Sequence, residues 1–231
     1  LRRNINIVMA IINNHSSINL DAGFQGDHSE LLQFFFNQGL NIEITDDVSS
    51  LKTFLESLSD EEYPYNFDAA FTESFVDGDG FVLFLKNGDT IVSTYAAKGL
   101  DKGIFKEGMK EIYEGNYEVV DIGIDPACYS SCQWVAKSHR GKKFGMCLDH
   151  LKKNIIFDKT RFGINYAIHK ESFKDYHING LHYSNSEKFA TIPNGDVGGA
   201  GEKIDKVYNI AWVSKDEWLI KRNEVKSLYT S

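Results

Sequence analysis

Arg140-Gly-Lys-Lys-Phe-Gly145 puts three cations and two glycines into six residues, and its flanks say what they can do. Ser131–Ala136 reads as a strand entering the segment. From Lys143 on, Phe144, Cys147, Leu148, Leu151 and Ile155 recur at helical spacing. That predicts a helix reaching about Phe157, with one buried face and with Lys152 and Lys153 in solvent. The first N–H groups of a helix have no intrahelical partner and sit at the positive end of its dipole, so a glycine- and cation-rich loop opening a helix is an anion site. We read a pyrophosphate held here, with much of the remaining chain placing a second substrate over whatever the phosphate carries.

Other combinations point to less. Cys128-x-x-x-Cys132 has no second pair or suitably spaced His to complete a metal site, and three cysteines cannot pair off, so unpaired thiols in a reducing cytoplasm are expected. Asp77-Gly-Asp-Gly80 lacks the downstream Glu of a calcium loop and reads as a turn. Gly198-Gly-Ala-Gly201 precedes no long helix and reads as a hairpin tip, and no Walker-type phosphate loop is present. The acidic, aromatic stretch 59–65 is either a rim that attracts a cationic amine or a solvated connection.

The whole chain has 231 residues and a net charge of −8, with 42% hydrophobic and 25% charged residues, an ordinary globular composition. Residues 1–100 hold 15 acidic and 5 basic side chains, which argues against a nucleic-acid surface. Residues 137–161 hold eight Lys or Arg against two Asp, so positive charge gathers at the anion loop. The start, Leu-Arg-Arg and then Ile5–Ile12, imitates a signal peptide, but Asn6 breaks it and no small-residue cleavage site follows. No run approaches a membrane span.

The positioning elements follow from periodicity. Residues 4–12 read as a strand and 13–27 as loop; a helix runs from Ser29 through Asn37 with Gly39 as its stop. We expect residues 1–40 to be an extension packed on a main domain, 41–231, or else an oligomer contact. Asn41–Thr45 is a strand, Asp46-Asp47 leads a helix through about Leu58, and Asp68–Phe75 is another helix. Phe81–Lys86 and Thr90–Ala97 flank Asn87-Gly-Asp89 as a hairpin. Residues 99–116 read as an insertion, Tyr117–Ile124 as a strand, Asp125-Pro-Ala127 as a turn and Phe162–Ile168 as a strand. A helix over 171–179 ends at Gly180, Leu181–Tyr183 and Ala190–Ile192 are extended, and Val207–Val213 is a final strand.

Val135-x-x-x-x-Arg140-Gly-Lys-Lys-Phe-Gly145 resembles the acyl-coenzyme A loop of the GNAT superfamily of N-acyltransferases, written Q/R-x-x-G-x-G/A. Tyr176-His-Ile-Asn-Gly180-Leu resembles that family's Tyr-x-x-x-Gly-Phe, and together with the hairpin the likeness covers about 41–213. It implies an α/β (α+β) fold, with a mixed, mostly antiparallel central sheet flanked by helices and splayed cofactor strands. It also implies acetyl-CoA or another acyl-CoA as co-substrate, held by Trp134, Val135, Ala136, Arg140, Gly141, Lys142, Lys143, Phe144, Gly145, Met146 and His169. The implied activity is N-acetyltransfer to a primary amine on a small molecule or peptide by direct attack. A backbone N–H near Val135 would face the oxyanion, and Tyr176 would be the acid for the departing thiolate. Among Glu118, Asp121 and Asp125, Asp121 is preferred as base, because Val120 and Ile122 turn it away from the core; His139 reads as a surface residue. The alternative is a degenerate domain that binds acyl-CoA as a sensor or interaction module. No nucleic acid or membrane partner is expected, and a homodimer is left open. Three letters depart from the pattern: Lys143 replaces the first glycine, His169 a usual Asn, and Leu181 the Phe. A side chain at 143 requires a negative φ if it is to clear the phosphates.

Overall fold

Hydrophobic residues that alternate between two faces make β3 (Gly80–Asn87) and β4 (Thr90–Gly99) the central hairpin, turned at Gly88 with φ +59°. Phe81, Leu83 and Leu85 enter one core, Val82 and Phe84 the other, so this sheet is covered on both sides. The computed structural model describes residues 11–18, 29–63, 80–99, 126–196 and 203–230. Outside it lie the expected helix at 68–75, the strand at 117–124 with Asp121, nearly all of the 99–116 insertion and the turn at 198–201.

Among the described residues eight strands form one sheet in the order β1-β2-β3-β4-β5-β6-β8-β7. They are β1 (Ile11–Asn14), β2 (Asn41–Thr45), β3, β4, β5 (Ala127–Val135), β6 (Ile164–Lys170), β7 (Asn185–Asp196) and β8 (Lys203–Ser214). Five of the seven neighbouring pairs are antiparallel; β1–β2 and β5–β6 are parallel. Helix α1 (Ser29–Asn37) and α3 (Phe144–Lys159) share one core with Trp218 of α4 (Lys215–Glu224), and Tyr229 of α5 (Ser227–Thr230) packs against it. Helix α2 (Val48–Glu56), capped by the Asp47 carboxylate on Ser50 N–H, covers the opposite face with Val48, Leu51 and Leu55. Among the described residues no helix is long and apolar enough to cross a membrane.

The mixed, mostly antiparallel sheet with helices on both faces is the GNAT-like architecture expected. The parallel pair β5–β6 is splayed. Only Ala127, Cys128 and Tyr129 pair, with Ile164, Asn165 and Tyr166, while β5 runs on to Val135 and β6 to Lys170.

Several local expectations change. Asn13 and Asn14 extend β1 rather than opening a loop, and Ala127 begins β5 rather than ending a turn. The segment before Gly180 is a short 3-10 turn, Glu171–Phe173, and then a π-type turn, Tyr176–Gly180, that contains the glycine. Leu181–Tyr183 is not a strand. Two helices close the described chain after β8. The signal of the first, Ser214-x-x-Glu217, is a reciprocal capping box that periodicity alone passed over.

Candidate functional site

Strand β5 carries a bulge where it leaves β6. Ser131 lies opposite Ala96 and Trp134 opposite Thr94, so Cys132 and Gln133 together face Tyr95. Cys132 takes φ +57°, a left-handed conformation that costs a non-glycine residue roughly 1 kcal/mol. The Thr94 hydroxyl donates to Cys132 O at 2.8 Å and the Ser93 hydroxyl to Trp134 O at 2.7 Å, which fixes the irregular stretch to β4. The extra residue reverses the alternation of side chains. Cys128 sits in the α3-side core, but Cys132, four residues on, falls in the α2-side core, so these two thiols do not converge. Trp134 joins the α2 side, edge-on to Phe54 at 5.2 Å. Gln133 and Val135 turn toward α3.

Past Val135 the chain makes one 3-10 turn, Lys137–His139, and enters α3. Ala136 N–H donates to Val92 O at 2.9 Å, and Arg140 Nε donates to Val135 O at 3.0 Å. Arg140, Gly141, Lys142 and Lys143 are exposed. The ladder of α3 begins with Cys147 N–H on Lys143 O, so the N–H groups of Phe144, Gly145 and Met146 precede it at the open end of the splay. Gly141 has φ +78° and Lys143 φ +65°. The latter corrects the expectation of a negative φ: the lysine adopts the glycine-like conformation of the position it fills, a strained state for an L side chain.

Tyr176 meets this helix end. Its hydroxyl lies 3.4 Å from Gln133 Nε2, and a Cβ placed on Gly145 would fall 3.6 Å from the same hydroxyl, 3.1 Å from Gln133 Nε2 and 3.0 Å from Val135 Cγ2. Gly145 therefore leaves a cradle that any side chain would fill. A Cβ on Gly180 would lie 2.8 Å from Tyr176 Cδ2, so in the spacing Tyr-x-x-x-Gly the glycine leaves room for the ring. The ring is 40% exposed. Partial burial of the hydroxyl end pushes its pKa up to about 12, the Asp149 charge adds to this, and the Gln133 hydrogen bond opposes it.

Behind the helix end lies an ionic cluster that helical periodicity missed. Lys152 and Lys153 are wholly buried, not in solvent. Both ammoniums bond Asp149, Lys152 at 2.6 Å. Lys152 also donates to the Tyr183 hydroxyl at 3.1 Å and Lys153 to Leu181 O, and Lys153 lies 3.9 Å from the Tyr183 ring centre. Burial acts to raise the Asp149 pKa, but the two ammoniums outweigh it and hold the carboxyl well below its usual range. Two of the eight cations counted around the loop thus serve the core. The Tyr183 hydroxyl donates to Asn165 Oδ1 at 3.2 Å, and Asn165 Nδ2 donates to Cys128 O at 3.0 Å and to Ser130 Oγ at 2.5 Å, at the apex of the splay.

His169 does not stand alone beside the splay. It is buried and stacked on His177 with ring centres 4.1 Å apart, and it faces Ser186 Oγ at 3.3 Å. Burial first, then the neighbouring imidazole, push the His177 pKa down to about 4, so this stacked ring is neutral. His139, half-buried, bonds Ser138 and packs near Phe144. Asp121, with Glu118 and Asp125, lies outside the described residues. Gln133, Asn165 and Tyr183 were missed; nothing in spacing marks them, because their placement depends on the bulge and on long-range pairing. Among the described residues no group of three or more His, Cys, Asp or Glu could hold a metal.

A mixed sheet with a splayed parallel pair, and a loop and helix end at its open side, defines a GNAT-like fold. No family model matches the chain and no curated protein matches it. Among solved structures it is similar to FeeM, an N-acyl amino acid synthase from uncultured soil microbes, at 11% identity over 78% of this chain and 92% of that one, TM-score 0.47. It is also similar to NAA60 of Arabidopsis thaliana in complex with acetyl-CoA, at 10% identity over 76% and 99%, TM-score 0.47. A third is BjaI, a CoA-dependent acyl-homoserine lactone synthase, at 12% identity over 93% and 88%, TM-score 0.48. Likenesses this distant add nothing to the activity, for which the geometry above is the ground.

Proposed function

We propose that the chain is an acyl-CoA-dependent N-acyltransferase that moves an acetyl or other acyl group to a primary amine on a small molecule or peptide. The observation that carries this reading is the splay of β5 from β6 with the Tyr176 hydroxyl, the Gly145 cradle and the start of α3 gathered at its open end. Acyl-CoA would supply an activated thioester carbonyl and a thiolate leaving group. The N–H groups of Phe144, Gly145 and Met146, with Gly141, Lys142, Lys143 and Arg140, form the pyrophosphate cradle. Trp134, Val135 and Ala136 present the strand edge along which the pantetheine arm would lie. The Tyr176 phenol carries its proton at neutral pH and is the group with one to give to the departing sulfur; burial, which pushes its pKa up to about 12, makes it a weaker acid than a free phenol. His169, stacked on His177, stands with Trp134, Val135 and Ala136 in this reading as a contact to the arm. Asp121 is the base in this reading. A cytoplasmic setting belongs to this reading, and the three cysteines are all buried.

The test is incubation with acetyl-CoA, and with longer acyl-CoAs, across an amine panel, following thiol release together with thermal stabilisation by coenzyme A. Amine-dependent release is expected, and Tyr176→Phe should lower it with coenzyme A affinity nearly unchanged. Arg140→Ala should weaken coenzyme A more than a dephosphorylated pantetheine analogue. No stabilisation by any acyl-CoA would overturn the reading. Stabilisation without turnover would support the second reading, a domain that binds acyl-CoA as a sensor, which the strained Lys143 and the stacked His169 favour.

A further inference from the structure

Gln133 stands where β5, the start of α3 and the Tyr176 ring approach each other. It is there because of the bulge: with unbroken alternation its side chain would project toward α2, where Cys132 and Trp134 go. Its Nε2 donates to Gly145 O at 3.1 Å and to the Tyr176 hydroxyl oxygen at 3.4 Å.

These two contacts are not equivalent. A backbone carbonyl only accepts, so Gly145 O decides which way round the amide sits: Nε2 must face it, because the flipped amide would set oxygen against oxygen. With the amide fixed, its second N–H points at Tyr176, and the phenol oxygen can only accept. The phenolic hydrogen therefore cannot be given to Gln133 and is left for a third group. Gly145 makes the approach possible, since a Cβ there would come within 3.1 Å of Nε2.

We infer that Gln133 is a positioning residue for Tyr176, locking the phenol as a hydrogen-bond donor toward whatever occupies the splay. This deepens the acyltransfer reading and rests on it for its chemical purpose, though the hydrogen-bond arrangement itself can be tested without turnover. The same N–H that orients the neutral phenol also stabilises the phenolate formed once the proton has been passed on, so the residue acts on proton transfer and not on coenzyme A binding.

The experiment places 3,5-difluorotyrosine, whose phenol ionises in a mild pH range, at position 176 and follows its titration by fluorine NMR in the full chain. Gln133→Met keeps the bulk and removes both N–H donors; Gln133→Glu is the second variant, its ionised carboxylate accepting only. Gln133→Met should weaken ionisation of the 176 phenol by about threefold to tenfold, the worth of one neutral hydrogen bond, and Gln133→Glu by more, because its carboxylate also repels the phenolate. An unchanged titration in either folded variant overturns the proposal, whether or not the protein proves to be an acyltransferase. In acyl transfer, Gln133→Met should lower kcat by about tenfold with the KM for acetyl-CoA within twofold, and should cost nothing further in a Tyr176→Phe background. A loss that persists undiminished in that background would make Gln133 structural and overturn the proposal. A shifted titration in a protein without turnover would support the Gln133 arrangement while removing the acyltransfer reading.

Discussion

Asp149→Asn should be among the most damaging substitutions in this core. The carboxylate bonds two ammoniums, Lys152 and Lys153, and all three side chains are wholly buried. Removing one partner of a buried pair costs about 3–5 kcal/mol because the remaining charge is left uncompensated, and here two charges lose the same partner. Against a total of about 5–15 kcal/mol for a domain, a loss of at least about 3 kcal/mol is expected. Urea unfolding at pH 7, followed by the fluorescence of Trp218, which lies over Lys153, measures it. Lys153→Met should behave differently. It removes the excess cation and leaves Asp149 and Lys152 matched, at the cost of a donor to Leu181 O of about 1–3 kcal/mol, so its net effect should stay within about 2 kcal/mol. Titration gives an independent sign. Burial pushes the Lys153 pKa from 10.5 down to about 7, so between those values the unfolded chain binds more protons and stability rises with pH; below about 7 the penalty is fully present. Cys147, raised by burial from 9.0 to about 12, acts in the opposite direction above pH 9, which makes pH 7–9 the window in which Lys153→Met should flatten the rise. An Asp149→Asn cost below about 1 kcal/mol, or equal costs for the two variants, would refute the ionic account.

Gly180→Ala should displace the Tyr176 ring, which a new Cβ would meet at 2.8 Å, and lower acyl transfer by about tenfold with coenzyme A affinity unchanged; normal turnover would show that the ring has room to move. Lys143→Gly should raise stability in urea by up to about 1 kcal/mol by relieving φ +65°, and a loss of coenzyme A affinity in the same variant would assign the ammonium a phosphate contact. Glu217→Ala breaks the capping box at the start of α4 and should cost about 1 kcal/mol in thermal or urea unfolding; no change would mean that Ser214 alone holds the helix.

What was legible in the sequence was local. The hairpin around Asn87-Gly-Asp89, the helix led by Asp46-Asp47 and the helix expected from Lys143 on follow from turn chemistry and 3.6-residue spacing, and the structure has all three, with Asp47 and Lys143 as the capping residues. The loop motif and Tyr176 lie together, although Gly145 and the tyrosine are 31 positions apart in the chain. What could not be read was set by tertiary pairing. Nothing in Lys152-Lys153 distinguishes a wet face from a buried one until Asp149, Tyr95 and Tyr183 are seen around it. The bulge at Cys132 is invisible as well, since the residue is not a glycine and nothing in Ser130-Ser-Cys-Gln-Trp134 marks a reversal of alternation.

The ionic cluster and the splay have a common cause. When two strands in the middle of a sheet part company, backbone groups at the fork lose their ladder partners in a place water reaches poorly, and polar side chains must replace them. Asn165 does this for Cys128 O, and it is held in turn by Tyr183 and, through that hydroxyl, by Lys152. Lys153 carries the same network to Leu181 O, and Leu181 N–H closes on Tyr176 O at 2.8 Å. The segment that bears the proposed acid is therefore tied to α3 by the groups that hold the fork open. If so, Asp149→Asn in a background stabilised elsewhere should lower turnover through Tyr176 as well as weaken the fold. A folded Asp149→Asn variant with unchanged kcat would separate the two and leave the cluster a purely structural one.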